Sequence, residues 1–465
     1  MEATTSEIDF DDLAERWQAR LPELAAVHDV PGATLGVLRL ATDDRPRQQF
    51  VAAAGVLNLD TGLACTTDSV FQIGSITKSW TATVVMRLIE QGLLELDAPL
   101  ADVLPGLRLP DDLAARATMR HLLTHTSGMD GDLFTDTGRG DDSLERYVEL
   151  LADAGMNHPL GATFSYCNAG YILAGRIIEH VTGQTWDAAI GTHIVEPLEL
   201  TRTFTFPEEC MLGRFAVGHV AENGQKPHVA PIWALPRSLG PAGLITCTAG
   251  DVLAFAAMHL GDGAPVLAPS TAAAMQEHQV DVPDPYTLGE SWGLGWIRFA
   301  WDGRHVIGHD GNTIGQAAYL RMVPELGLAV TLLTNGGESA DLFQDVITDV
   351  LAEVAGIAVP ARVEPTPSAP LGEVADYLGH YSRASLETDV YLDGERLMLR
   401  TTSTGPLAEL DENPIEEHEL FPIRDGVYAL REPPSEQWTP VVFYLLDDGK
   451  RYVHFGARAN PWVSA

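Results

Sequence analysis

Basic residues are scarce in this chain. Lys and Arg together number 29 against 65 Asp and Glu, a formal charge of −36 at neutral pH. Nucleic acids and anionic membranes are held by cationic patches, so neither is expected as a partner. Most of the acidity reads as a well-solvated surface. Cysteine is scarcer still: Cys65, Cys167, Cys210 and Cys247 lie far apart with no C-x-x-C pair. That spacing argues against a disulfide framework or zinc site and points to reduced thiols. No uninterrupted apolar run is long enough to cross a bilayer. The opening stretch MEATTSEIDFDDLAERWQARL is acidic and amphipathic, without the basic and apolar regions of an export signal. The cytoplasm is the expected compartment, no cofactor or metal is called for, and the oligomeric state stays open.

What is present fits a globular protein of two domains. The chain has 465 residues, 45% of them hydrophobic, more than one core usually serves. Phe10 to Val27 reads as an amphipathic helix with Leu13, Trp17, Leu21 and Leu24 on one stripe. Strands follow at 32–40 and 48–56, the second bracketed by turn signals at Asp43–Arg47 and Asp60–Gly62. Short helices and loops fill the middle, with clearer helices at Tyr171–Thr182, Trp186–Ile194 and Ala249–Leu260. Ser291–Ala300, Arg304–Ile307, Gln316–Val323 and Leu328–Leu333 read as consecutive strands, and Leu342–Ala355 as a closing helix. Strands at both ends around a helical middle imply an α+β fold: an antiparallel sheet flanked by helices, with an inserted all-helical lobe. The proline-rich stretch 360–370 reads as a linker. Beyond it, residues 371–465 alternate short strands with turns, including Asp393–Gly394 and Asp448–Gly449, as a small antiparallel β-barrel would. The expected division is 1–359, linker 360–370, and 371–465.

Three segments carry chemistry. In Phe71 to Leu94, Gly74 gives a tight entry, Ser75 takes an N-cap or first-turn place, and Gly92 closes the helix. Ser75 and Lys78, three apart, share one helical face. A serine hydroxyl needs an adjacent base, and a lysine serves if burial or a nearby cation lowers its pKa. The alternative is a capped helix with an exposed lysine. In Phe164–Gly170, Tyr166 and Asn168 project to one side just before a helix; a phenol can move protons and an amide can hold a carbonyl. The alternative there is a half-buried tyrosine and an ordinary capping asparagine. In Ile307–Gly315, between two predicted strands, His309 is followed by Gly311 and Gly315, so backbone can pass close to a ligand; a plain hairpin turn is the alternative.

Together these segments resemble the penicillin-recognising serine hydrolases, in the branch holding class C β-lactamases, D-aminopeptidases, D,D-carboxypeptidases and related esterases. The family signature of S-x-x-K, S-D-N and K-T-G is filled here by Ser75-Ile76-Thr77-Lys78, Tyr166-Cys167-Asn168 and His309-Asp310-Gly311, in that order. LLTHTSGM (Leu122–Met129) and GPAGLITCTAGDVLAF (Gly240–Phe255) match as well, and the resemblance spans roughly residues 10–357. It implies that Ser75 is the acylated nucleophile, Lys78 its activator and Tyr166 a partner in proton transfer. It implies that Asn168 binds the substrate carbonyl side and that His309 assists Tyr166 or a substrate carboxylate. The N–H groups of Ser75 and Asn312 would form an oxyanion hole, with Gly311 beside them. Histidine in place of the third motif's lysine puts carboxylate recognition in doubt. Residues 371–465 resemble the lipocalin-like domain of several members, including the penicillin-binding-protein-type thioesterases, and could cap the cleft.

The expected activity is acyl-enzyme hydrolysis of a small-molecule or peptidyl ester or amide. Two alternatives stand beside it. An amine could intercept the same ester, giving a transacylase or peptide-cyclising thioesterase, or the scaffold could be a non-catalytic binding protein. His121 and His125 form H-x-x-x-H on a helix, but the glutamate a metalloprotease needs after His121 is absent, and hydrogen bonding in a loop is the expected role of the pair. Trp233, Trp292 and Trp296 fit a cleft wall or the core, and the acidic loop Asp130–Ser143 fits a cleft rim or plain solvation.

Overall fold

The computed structural model describes residues 9–221, 226–261, 263, 265–366, 371–404, 414–431 and 437–464. Its first part is built on a nine-stranded antiparallel sheet. The strand Gly32–Arg39 pairs with Gln48–Asn58 on one side and with Leu328–Thr334 on the other. Early and late segments thus complete one sheet, and the helical lobe is inserted between them. Both strands at the centre, Gly32–Arg39 and Leu328–Thr334, are buried along their whole length. Their near-continuous apolar sequence reflects helices covering both faces. On one face lie Phe10–Val27, capped by the Asp9 carboxylate, and Ser339–Ala355. On the other lie Ala249–Gly261 and the helix Thr77–Glu90, where Trp80 stacks on Phe255 with ring centroids 4.2 Å apart. Gly36 permits that packing, since a Cβ there would meet Leu253 Cδ1 at 2.9 Å.

Three sequence expectations need correction. The strand expected across Ser291–Ala300 is broken into Ser291–Trp292 and Ile297–Trp301. At the break Gly295 adopts φ +83°, and a Cβ there would strike Ala82 Cβ at 2.6 Å. Its carbonyl accepts a hydrogen bond from Ser79 Oγ at 2.7 Å, pinning the break to the helix behind Ser75. Conversely, the strand expected to stop at Ile307 runs on from Arg304 to Thr313, so His309 lies within the sheet and not in a loop. Its glycines serve close approach: a Cβ on Gly308 would meet Leu320 O at 2.0 Å, and one on Gly311 would meet Ile73 O at 2.0 Å. Last, His121 and His125 do not share a helix. That helix ends at Leu123, and His125 sits beyond it with φ +57°.

The C-terminal part is a nearly closed antiparallel barrel of nine strands, beginning at Gly379–Arg383 and ending at Arg458–Ser464. Its interior is filled with side chains, among them Tyr381, Leu399, Tyr428, Val441 and Phe443. Both expected hairpin turns occur: Asp393 pairs with Arg396 around Gly394, and Leu446 N–H bonds to Lys450 O around Gly449. Residues 367–370 of the expected linker lie outside the described residues, as do 432 and 433 of the strand read near Gly426. Among the described residues no helix is long and apolar enough to cross a membrane.

Candidate active site

Ser75 sits in a 3₁₀ turn, Gly74–Ile76, that leads directly into the helix Thr77–Glu90. Gly74 is required there twice over. Its φ is +51°, and a Cβ would meet Asn312 N at 2.6 Å. The reciprocal contact is just as tight, because a Cβ on Gly311 would lie 2.7 Å from Ser75 N. The turn and the strand edge therefore bring the Ser75 backbone beside Gly311 and Asn312.

One helical step along, Lys78 is fully buried. Its Nζ donates to Ser75 Oγ at 2.9 Å and to Ala242 O at 2.7 Å. It also lies 4.9 Å from the centre of the Tyr166 ring. Burial, reinforced by the Arg458 guanidinium, drives the Lys78 pKa well below its ordinary value. A lysine so placed favours the neutral amine, the form that can accept a proton.

Tyr166 is buried too, and that burial raises its pKa, with the Ser75 hydroxyl opposing the rise. The phenol is therefore neutral at rest. Behind it, the His125 ring stacks on Tyr166 at 4.3 Å, and His125 Nδ1 accepts from Cys167 N–H at 2.9 Å. Asn168 opens the helix Asn168–Thr182, which starts earlier than its apolar periodicity suggests because Cys167 Sγ caps it. His309 Nδ1 bonds to Asp310 O at 2.6 Å, which leaves Nε2 unprotonated. Burial first and Lys78 second push its pKa down to about 3. His309 is accordingly neutral near pH 7 and cannot supply the missing cation of the third motif.

Ser75, Tyr166, Asn168, His309 and Asn312 line one cavity of about 380 Å³, with Lys78 bonded to Ser75 at its base. Gly311 is absent from that lining and packs against the Ser75 turn instead. Of the tryptophans, Trp292 and Trp296 are buried in the core. Trp233 lines a neighbouring cavity. Phe134, from the acidic loop Asp130–Ser143, lines both cavities.

The sequence offered the barrel only as a cap over the cleft and named no residue of it at the site. The two-residue turn Gly456–Ala457, with φ of +57° and +66°, joins two barrel strands and enters the cavity wall together with Arg458. Tyr166 N–H donates to Ala457 O at 3.0 Å, and Ala459 N–H donates to Ser165 Oγ at 3.2 Å. Asp132 ties these pieces together. One of its oxygens accepts from Arg458 at 2.8 Å and from the Asn168 amide at 3.3 Å, and the other accepts from Arg383 at 2.8 Å. Burial alone would raise the Asp132 pKa, but the guanidiniums of Arg458 and Arg383 outweigh it and hold the carboxylate ionised. Arg458 in turn lies 5.1 Å from the Tyr166 ring. The resemblance of residues 371–465 to a domain that caps the cleft was the only hint of this in the sequence.

The Asp132 side chain is 7% exposed and those of Arg383 and Arg458 are 11% and 21% exposed, so Asp132→Asn should leave two largely desolvated guanidiniums without their carboxylate. The expected loss is about 3–5 kcal/mol of unfolding free energy, read from urea denaturation at pH 7. A loss below about 1 kcal/mol would show that barrel docking does not depend on this carboxylate.

Comparison with known proteins places the chain. The Beta-lactamase family model matches residues 17–354. The chain is 44% identical to penicillin-binding protein 4 of Amycolatopsis lactamdurans over 79% of its own length and 97% of that protein's. It is 27% identical to esterase EstB of Burkholderia gladioli, over 72% of this chain and 93% of that one. A crystal structure of SurE with D-Leu matches with a TM-score of 0.78 at 27% identity, covering 97% of this chain and 100% of that one. The protein belongs to the β-lactamase family and is a serine hydrolase of that family.

Proposed function

We propose that the protein forms an acyl-enzyme on Ser75 from an ester or amide of an amino acid or short peptide. The observation that carries this reading is the 2.9 Å contact between Ser75 Oγ and the Nζ of a fully buried lysine. Neutral Lys78 takes the Ser75 proton as Oγ attacks the carbonyl carbon. The N–H groups of Ser75 and Asn312 stabilise the oxyanion. Tyr166, between Lys78 and the cavity, passes the proton to the departing alkoxide or amine, and the acyl group remains as an ester of Ser75. Water then attacks, Tyr166 and Lys78 receive its proton, and the acid leaves as Oγ is reprotonated. Asn168 orients the acyl carbonyl side, and His309, neutral with a free Nε2, accepts a hydrogen bond from substrate or Tyr166.

The relatives support this class of substrate: one is a penicillin-binding protein, one an esterase, and one a structure with D-Leu. Residues 1–359 form the catalytic unit in this reading, with 371–465 as an appended barrel that walls the cleft. That wall favours a second acceptor. Gly456, Ala457 and Arg458 line the cavity, and an acyl chain lying against them would hold its own amine near Ser75, so that the amine displaces the ester in place of water. The test is product analysis with D- and L-aminoacyl and peptidyl esters, in buffer alone and with added amine. Free acid throughout supports hydrolysis, amide product supports transfer, and the absence of both with every ester defeats the acyl-enzyme reading.

A further inference from the structure

The Ser75 cavity is small, but it does not end blindly. A second cavity of about 1040 Å³ lies alongside it. The two share Phe134, Leu235 and Leu239 as a common wall. A substrate joined to Ser75 would reach the larger space by running over these three apolar side chains. Two residues of the larger cavity, Met211 and Ile232, are 64% and 51% exposed. Large apolar side chains left open in a concave surface mark a binding site more often than a lone exposed leucine does. The charges at its rim do not point to an ionic ligand. Arg139 is engaged by Glu208, Arg237 by Asp187 at 3.0 Å, and the Asp136 carboxylate accepts from Gly138 N–H at 2.8 Å.

Size narrows the occupant. The Ser75 cavity, about 380 Å³, sits at the low end of the roughly 300–1,000 Å³ typical of small-molecule sites, enough for one residue. The larger one exceeds that range, and a single alkyl chain would leave most of it wet. Resting on the acyl-enzyme reading above, we propose that the groove is a distal subsite for the acyl side of a peptidyl substrate with bulky apolar side chains. Selection then lies in the residues beyond the one esterified to Ser75.

The test uses the full-length protein and four p-nitrophenyl esters: N-acetyl-alanyl, the same alanine extended by four mostly leucine residues, the same alanine extended by four serines, and dodecanoyl. The leucine-rich ester should exceed both the single-residue and the serine-rich ester in kcat/KM by at least about tenfold, the scale of apolar pocket discrimination. In a Met211→Asp, Ile232→Asp double variant that ratio should fall toward one. In Leu212→Asp, whose side chain is 95% exposed and outside the lining, the ratio should persist. A ratio near one in the wild type, or one that survives the double variant, overturns the subsite. A dodecanoyl ester matching the leucine-rich peptide overturns its peptidyl assignment. Labelling of wild-type Ser75 by a fluorophosphonate separates the two failures. A protein that labels but shows no preference loses only the groove, whereas one that does not label loses the acyl-enzyme reading as well.

Discussion

Lys78→Met should lower kcat on ester substrates by about 10²–10⁴-fold, the range expected when a positioned proton acceptor is removed. Methionine matches the length of the buried chain and keeps the apolar contacts, so the loss isolates the amine. Steady-state kinetics on a p-nitrophenyl ester would measure it, and a loss under threefold would remove Lys78 from the mechanism. The same variant carries a stability signature. Burial, and then Arg458, hold the native Lys78 pKa well below 10.5. Between that lowered value and 10.5 the unfolded chain binds a proton that the native protein does not. Wild-type stability therefore rises with pH across the window and is lowest beneath it. Methionine is uncharged in both states and removes this penalty. Relative to wild type, the variant should be most favoured near neutral pH and lose ground steadily as pH approaches 10, followed by urea unfolding across pH.

Tyr166→Phe should cost about 10²-fold or more in kcat with little change in KM. The phenol is buried and neutral at rest, its pKa raised by burial, so its part is to pass a proton and not to carry charge. Removing one oxygen leaves the stack on His125 and the van der Waals contact with Lys78 intact. Rapid-mixing experiments should then show slow formation of the acyl-enzyme on substrates with poor leaving groups. Substrates with a good leaving group should suffer less, since their departure needs no proton. An equal loss for both kinds would point to a structural role for the hydroxyl.

Much of this site was readable in the sequence because residue type and local spacing carry it. Ser75 and Lys78 sit one turn apart, and any helix there forces them together. The chain's only lysines are Lys78, Lys226 and Lys450, which makes a fully buried one conspicuous. Tyr166 and Asn168 were legible from an extended segment running into a helix. His309 was legible as a residue but not as part of a strand, because glycines that read as turn signals are there to let two backbones touch. His125 was misjudged for a different reason: its helix stops two residues short of it, and only the fold sets its ring under Tyr166. Asp132, Arg383 and Arg458 come from segments 251 and 326 positions apart in the chain. No local pattern could have paired them, and an acidic loop in so acidic a protein passes for solvation. The broken strand at Gly293–Trp296 was hidden likewise, since Trp292 and Trp296 give it the apolar content of a continuous strand.

Covalent loading of Ser75 is the most direct measurement of all. The wild-type protein would be treated with a fluorophosphonate or a slowly released acyl ester, then examined by intact mass and peptide mapping. One adduct per chain on Ser75, absent from Ser75→Ala along with turnover, is the expected result. An adduct on another residue, or a Ser75→Ala variant that still turns over ester, would contradict it.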